Sequence, residues 1–131
     1  MSMTEATSQD RPKVLFVEDE ELVSELMAEV LDEQGFNVHA VENGDAALEY
    51  LQSGAEVDVL FTDINMPGTI DGAALAVEAR NLRPDLPIVY ASGRFNPSDL
   101  NPLVPRSLFL PKPYDPIEAC TLLNRLAPRA A

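Results

Sequence analysis

Five short apolar runs alternate with stretches of helical periodicity, and this alternation constrains the chain more than any other feature. The runs are KVLFV (13–17), FNVHAV (36–41), VDVLFT (57–62), PIVYAS (87–92) and LFL (108–110). After the first, Leu22, Val23, Leu26, Met27, Val30 and Leu31 recur at the spacing of one helix face, and Gly35 is placed to end that helix. Asn43 is placed to cap a second helix over 43–54, with Ala47, Leu48 and Leu51 inward. Helices are also predicted from about Gly72 to Leu82 and from about Pro116 to Leu126. Most of the runs are continuously apolar, so they read as strands buried on both faces. That pattern belongs to an α/β doubly wound fold, a parallel sheet covered by helices on each side. Only 36–41 alternates apolar and polar residues, which predicts a half-exposed edge strand. Pro97, Pro102 and Pro105 leave room for at most a short helix or an irregular loop over 96–107.

With 131 residues, 46% of them hydrophobic, the chain can bury one real core. The expected organisation is a flexible tail over 1–12, one domain over 13–127 and a short tail over 128–131. No apolar run approaches the roughly 18 residues of a membrane span, and the first residues lack the apolar core of a secretory signal, so a cytoplasmic protein is expected. Nine basic against 22 acidic side chains give a net charge of −13, which argues against nucleic acid and anionic membrane as partners. The single cysteine, Cys120, falls within the last helical pattern and reads as a small core residue.

In open sheets of this kind the working site lies outside the carboxyl ends of the strands, near the reversal of strand order. Glu18, Asp19 and Glu20 follow the first strand, Asp63 the third, and Lys112 and Pro113 the fifth, while Ser92 ends the fourth. If the first and third strands are neighbours, at least three carboxylates share one crevice, and like charges there repel by roughly 1 to 4 kcal/mol each. A hard divalent cation relieves such a set. Mg²⁺ suits one or two carboxylates, a backbone carbonyl and retained waters, often beside a phosphate. Lys112 adds positive charge on a long stem. With the Ser92 hydroxyl, these groups suit phosphoryl transfer, in which positioning and charge neutralisation dominate and a carboxylate can become an aspartyl phosphate. Each feature alone has an ordinary structural explanation: acids before a helix offset its dipole, and Met66-Pro67-Gly68 is turn chemistry. Those explanations do not account for acid, acid, hydroxyl and lysine at four strand ends of one domain.

In their order and intervening elements these residues resemble the receiver domain of two-component response regulators, from about Lys13 to Leu126. The resemblance implies a flavodoxin-like five-stranded parallel sheet of order 2-1-3-4-5 with five helices, the fourth short or irregular. It implies that Asp63 is the phosphoacceptor and that Glu18, Asp19, Asp63 and the backbone carbonyl of Asn65 hold Mg²⁺. Ser92 then bonds the phosphoryl group and moves with it, Lys112 neutralises it, and the Lys112-Pro113 bond is cis. Asp71-Gly72 matches the turn opening the third helix, and Asn65 and Arg94 match the positions that tune phosphoryl lifetime. The implied donor is a sensor histidine kinase or a phosphotransfer protein, and the implied output is an unspecified downstream protein. Such a chain is a signalling module, not an enzyme with a separate substrate.

Two departures stand out. Where many receivers carry a switching Tyr or Phe three residues before the lysine, this chain has Phe109, which packs but offers no hydroxyl. The run YASGRF (90–95) resembles a receiver subgroup with a Phe-Ala-Thr-Gly type motif, often found alongside an unorthodox class of histidine kinases. Tyr90 and Ser92 lie two apart in a strand and share a face, so Tyr90 is a second candidate for the switch, against core packing as the simpler role. The family's output surface includes the proline-broken segment 96–107, which is expected to be mobile and ordered by phosphorylation. The chain closes on APRAA, so it is expected to act alone, as a sink or relay, or through a partner that reads its surface. A small Mg²⁺-dependent phosphohydrolase stays open as a second reading, and a receiver signalling without phosphate as a third. The second wants an acid two residues after the nucleophile, where this chain has Asn65, and a substrate cap.

Overall fold

Each of the five apolar runs forms a strand in the computed structural model, which describes residues 11–66, 68–93 and 106–127. The strands are β1 (Lys13–Val17), β2 (Asn37–Val41), β3 (Val59–Asp63), β4 (Ile88–Ser92) and β5 (Ser107–Pro111). All neighbours pair in parallel in the order β2-β1-β3-β4-β5, which makes β2 an edge as its alternating sequence predicts. The helices are α1 (Glu21–Glu33), α2 (Gly44–Gln52), α3 (Gly72–Leu82) and α4 (Pro116–Leu126). Four helices are thus seen among the described residues, and α4 is the fifth of the sequence-based reading. The expected irregular fourth helix lies outside the described residues, as do Arg94, Phe95 and most of the two tails.

Several strand boundaries differ from the sequence reading, some for clear local reasons. Phe36 is not in β2, because its N–H turns back to the Leu31 carbonyl (3.0 Å) to close the end of α1 while its ring joins the core. Gly35, at φ 98°, makes that reversal in the left-handed conformation that favours glycine. β3 starts at Val59, since Asp58 is spent on the start of β1: its carboxylate accepts from the Lys13 N–H at 2.7 Å and its N–H donates to the Lys13 carbonyl at 2.7 Å. At the other end Asp63 is the last residue of β3 itself, because the ladder with β4 runs on to Asp63↔Ala91. β5 extends to Pro111 because its ladder with β4 runs from Ile88↔Ser107 to Ser92↔Pro111.

Strand alternation sorts the interior into two layers. Val14, Phe16, Val59, Phe61, Val89 and Ala91 face α1 and α4, where Met27, Leu31, Ala119, Cys120 and Leu123 complete one core. Leu15, Val17, Leu60, Ile88 and Tyr90 face α2 and α3, where Ala47, Leu51, Leu75, Ala76 and Ala79 complete the other. Asn43, Asp71 and Asp115 cap α2, α3 and α4, each accepting a backbone N–H from the first turn. Among the described residues, no helix is long and apolar enough to cross a membrane.

The apolar stripe of α1 is only partly used. Met27 and Leu31 are buried, yet Leu22 is 70% and Leu26 59% exposed, because one sheet face and α4 cannot cover a stripe that wide. The expected outcome is that Leu31→Ala lowers the urea unfolding free energy by about 2–5 kcal/mol. Leu26→Ala changes it by no more than about 0.5 kcal/mol. Equal losses at the two positions would mean that α1 is turned differently on the sheet.

Candidate functional site

Val17 pairs with Thr62 across β1 and β3, so the next residues, Glu18 and Asp63, emerge side by side at the same end of the sheet. Both are buried, at 2% and 8% exposure, while Asp19 points into solvent. Carboxylate oxygens of Glu18, Asp19 and Asp63 all lie within 4.8 Å of one another. From the end of β5, Lys112 reaches across with its Nζ 3.0 Å from Asp63 Oδ2 and 3.3 Å from Glu18 Oε1. The other Glu18 oxygen accepts the Glu20 N–H at 3.0 Å, and the Asn65 N–H approaches Asp63 Oδ1 at 3.4 Å. The Lys112-Pro113 peptide is cis, and the Lys112 N–H donates to the Ser92 carbonyl at 3.0 Å. Asp19, Asp63, Asn65 and Lys112 line an open cleft of about 510 Å³, walled also by Asp71 and Gly93.

Burial pushes the Glu18 carboxyl up from its ordinary value, although the Glu20 N–H and Lys112 both favour its charged form. For Lys112, burial alone would lower the ammonium, but the hydrogen bond and charge of Asp63, then those of Glu18, outweigh it and raise it. Tyr114, two residues on, is pushed up to about 12, chiefly by burial. Among the described residues, one ammonium is thus paired with two of three clustered carboxylates. Hard oxygen donors at these separations could hold a metal ion, and the uncompensated negative charge favours one.

A family model described as the response regulator receiver domain matches residues 14–124. The chain belongs to the response regulator receiver family. It is a receiver domain homologous to the phosphoacceptor response regulators of two-component systems. The receiver is 33% identical to the sensor kinase CckA of Brucella abortus over 116 residues, which is 86% of this chain and 12% of that protein. With the response regulator receiver protein CpdR of the same organism it shares 36% identity over 90 residues, covering 69% of this chain and 72% of the relative. Its fold superposes on a receiver protein from Sinorhizobium medicae with a TM-score of 0.84 and 34% identity, covering 91% of this chain and 96% of that one. The kinase and the transcriptional regulators among its curated relatives are longer proteins, of which this chain spans 12% to 52%.

The remaining sequence candidates divide by layer. Ser92, 2% exposed, ends β4 one residue beyond Ala91, the partner of Asp63, and the cleft wall at that point is Gly93. Tyr90 is buried and pairs with Phe109 across β4 and β5, both packed in the layer of α2 and α3. Three residues at the site carried little sequence signal. Thr62 donates its hydroxyl to the Asp63 carbonyl at 2.9 Å, Gly72 abuts the Asp63 peptide, and Tyr114 packs on Phe61 with ring centroids 5.5 Å apart. Only Asp71-Gly72 was visible beforehand, as a helix-opening turn. Beside the cleft runs an apolar groove lined by Val23, Leu26, Met27, Pro113 and Tyr114, which shares Glu20 and Lys112 with the cleft side of the molecule.

The raised Lys112 value fixes the sign of a pH effect. A group that binds its proton more tightly when folded stabilises the fold fully below its unfolded value, near 10.4 for lysine, and loses that contribution as pH rises through the higher folded value. Urea unfolding of the receiver and of Lys112→Gln is expected to differ by a constant amount between about pH 7 and 9. The gap then narrows above about pH 10.4. A gap independent of pH through that upper range would count against the ion pairs.

Proposed function

We propose that Asp63 is the phosphoacceptor of a two-component signalling pathway and that its phosphorylation depends on Mg²⁺. The single observation that carries this reading is the Lys112 ammonium 3.0 Å from Asp63 Oδ2 at the mouth of an open cleft. An Asp63 oxygen attacks the donor's phosphorus in line, the bond from phosphorus to the donor histidine nitrogen breaks, and an acyl phosphate remains on Asp63. Lys112 exchanges its bond to the carboxylate for one to the arriving phosphoryl group and neutralises part of its charge. Ser92, at the end of the adjacent strand, bonds the same group. Glu18, Asp19, Asp63 and the Asn65 carbonyl would hold Mg²⁺, which would supply the remaining charge neutralisation. The donor set fits: all oxygen, close together, and undercompensated by one lysine. Asn65 in the place where a phosphohydrolase wants a general acid speaks for the acceptor reading over a phosphohydrolase.

The donor is a histidine kinase or phosphotransfer protein, a reading supported by the likeness to the sensor kinase CckA and to CpdR. The exposed apolar side of α1 carries Leu22 and Leu26, of which Leu26 lines the groove next to the cleft, and offers such a protein a seat. Tyr90 and Phe109, packed as a cross-strand pair, are the aromatic candidates for reporting the change at Ser92.

Intact mass after incubation with acetyl phosphate and Mg²⁺ tests the acceptor. One phosphoryl adduct is expected, absent from Asp63→Asn and from metal-free samples. An adduct that persists in Asp63→Asn would move the acceptor elsewhere. Separately, Leu22→Ser/Leu26→Ser is expected to slow transfer from a phosphorylated histidine kinase such as B. abortus CckA by about tenfold or more, the effect of about 1.4 kcal/mol of lost docking. Labelling by acetyl phosphate should be unchanged. Equal slowing with both donors would remove the docking role.

A further inference from the structure

We propose that Gly72 and Thr62 are positioning residues for Asp63: between them they clamp its backbone carbonyl and so set where its carboxylate points. The proposal rests on Asp63 being the acceptor. Gly72 is the first residue of α3, where a helix has no use for glycine. Alanine there would favour the helix by up to about 1 kcal/mol. The cap is supplied by Asp71, whose carboxylate accepts the Ala74 N–H at 2.9 Å. Nor is the conformation demanding, since the positive-φ glycines among the described residues are Gly35, Gly54 and Gly68. What requires glycine is the neighbour. A β-carbon on Gly72 would overlap the Asp63 carbonyl oxygen and lie 2.7 Å from Ile64 Cα and 2.9 Å from the Asp63 carbonyl carbon.

The helix is held in this close approach by the Gly72 N–H, which donates to the Ile64 carbonyl at 2.9 Å. The Ile64 N–H in turn donates to the Ala91 carbonyl of β4 at 3.1 Å, so the turn after β3 is fastened to the sheet as well as to α3. The Thr62 hydroxyl, fully buried, donates to the Asp63 carbonyl at 2.9 Å. That carbonyl is therefore bounded by a hydroxyl and by the bare α-carbon of Gly72. A methyl group at residue 72 has to displace either the start of α3 or the Asp63 peptide, both backbone and neither able to yield by a rotamer change. Tilting the peptide swings the Asp63 carboxylate, which sits only 3.0 Å from Lys112. Misplacement of a reacting group by about 1 Å costs on the order of 100-fold in rate.

The test compares Gly72→Ala, Thr62→Val, Thr62→Ser and Leu75→Ala with the wild type. Leu75, buried on α3 in the α2–α3 layer, reports what lost stability alone does. Adduct formation is followed by intact mass across acetyl phosphate concentrations at saturating Mg²⁺, and Mg²⁺ affinity by titration calorimetry. Gly72→Ala is expected to lower the maximal rate by about tenfold or more, leave the half-saturating acetyl phosphate concentration within about twofold, and weaken Mg²⁺ binding. Thr62→Val should shift the same quantities in the same direction, Thr62→Ser should restore them, and Leu75→Ala should retain them. A wild-type maximal rate in folded Gly72→Ala overturns the proposal. If Gly72→Ala does not fold, a wild-type rate in Thr62→Val overturns it. Equal losses in Leu75→Ala also overturn it, by assigning the effect to stability. Absence of any adduct in the wild type with acetyl phosphate and with a phosphorylated histidine kinase alike would instead refute Asp63 as acceptor.

Discussion

The site depends on one lysine reaching two buried carboxylates. Glu18 and Asp63 are held side by side by the pairing of β1 with β3, and nothing in that pairing relieves their repulsion. Isolated buried charges are expensive, and a compensating partner must arrive in good geometry to offset the loss of water. Lys112 does so from the end of β5, on the far side of β4 from Asp63. The ammonium therefore ties the end of β5 to the ends of β1 and β3, neither of which pairs with β5. Among the described residues the charge is still not balanced, with Asp19 close by, which leaves the cleft receptive to a cation.

Much of this was legible in the sequence because the relevant signals are local and repeated. Continuous apolar runs mark strands buried on both faces, and the residue at the end of each run falls at the sheet's working edge. Glu18, Asp63 and Lys112 were found this way and do come together. Asp19 joins them from the exposed start of the β1–α1 connection. The order of the strands was read from a resemblance, since periodicity alone does not say which strands adjoin.

What was not legible depends on close approach or on coverage. Gly72 reads as a turn glycine, and its tight seat against the Asp63 peptide exists only once α3 docks on the end of β3. Thr62 reads as one more β-branched strand residue, whereas its hydroxyl is committed to a neighbouring carbonyl. The six apolar positions of α1 look alike in sequence, yet the area offered by the sheet and α4 buries Met27 and Leu31 and leaves Leu22 and Leu26 in water. Strand limits moved where side chains or caps competed with the ladder, as at Phe36 and Asp58.

The two separately packed layers carry a consequence for how a single chemical event is broadcast. Alternation sets Glu18 and Asp63 on the side of the sheet that carries Val14, Phe16 and Phe61, above α1 and α4. It sets Ser92 on the opposite side, in line with Ile88 and Tyr90, above α2 and α3. On the proposed function, a group attached at the common edge would pull on both sides of a stiff partition. One modification there would speak through two packed layers that share no side chains, so two listeners could attend to it without competing for the same ground.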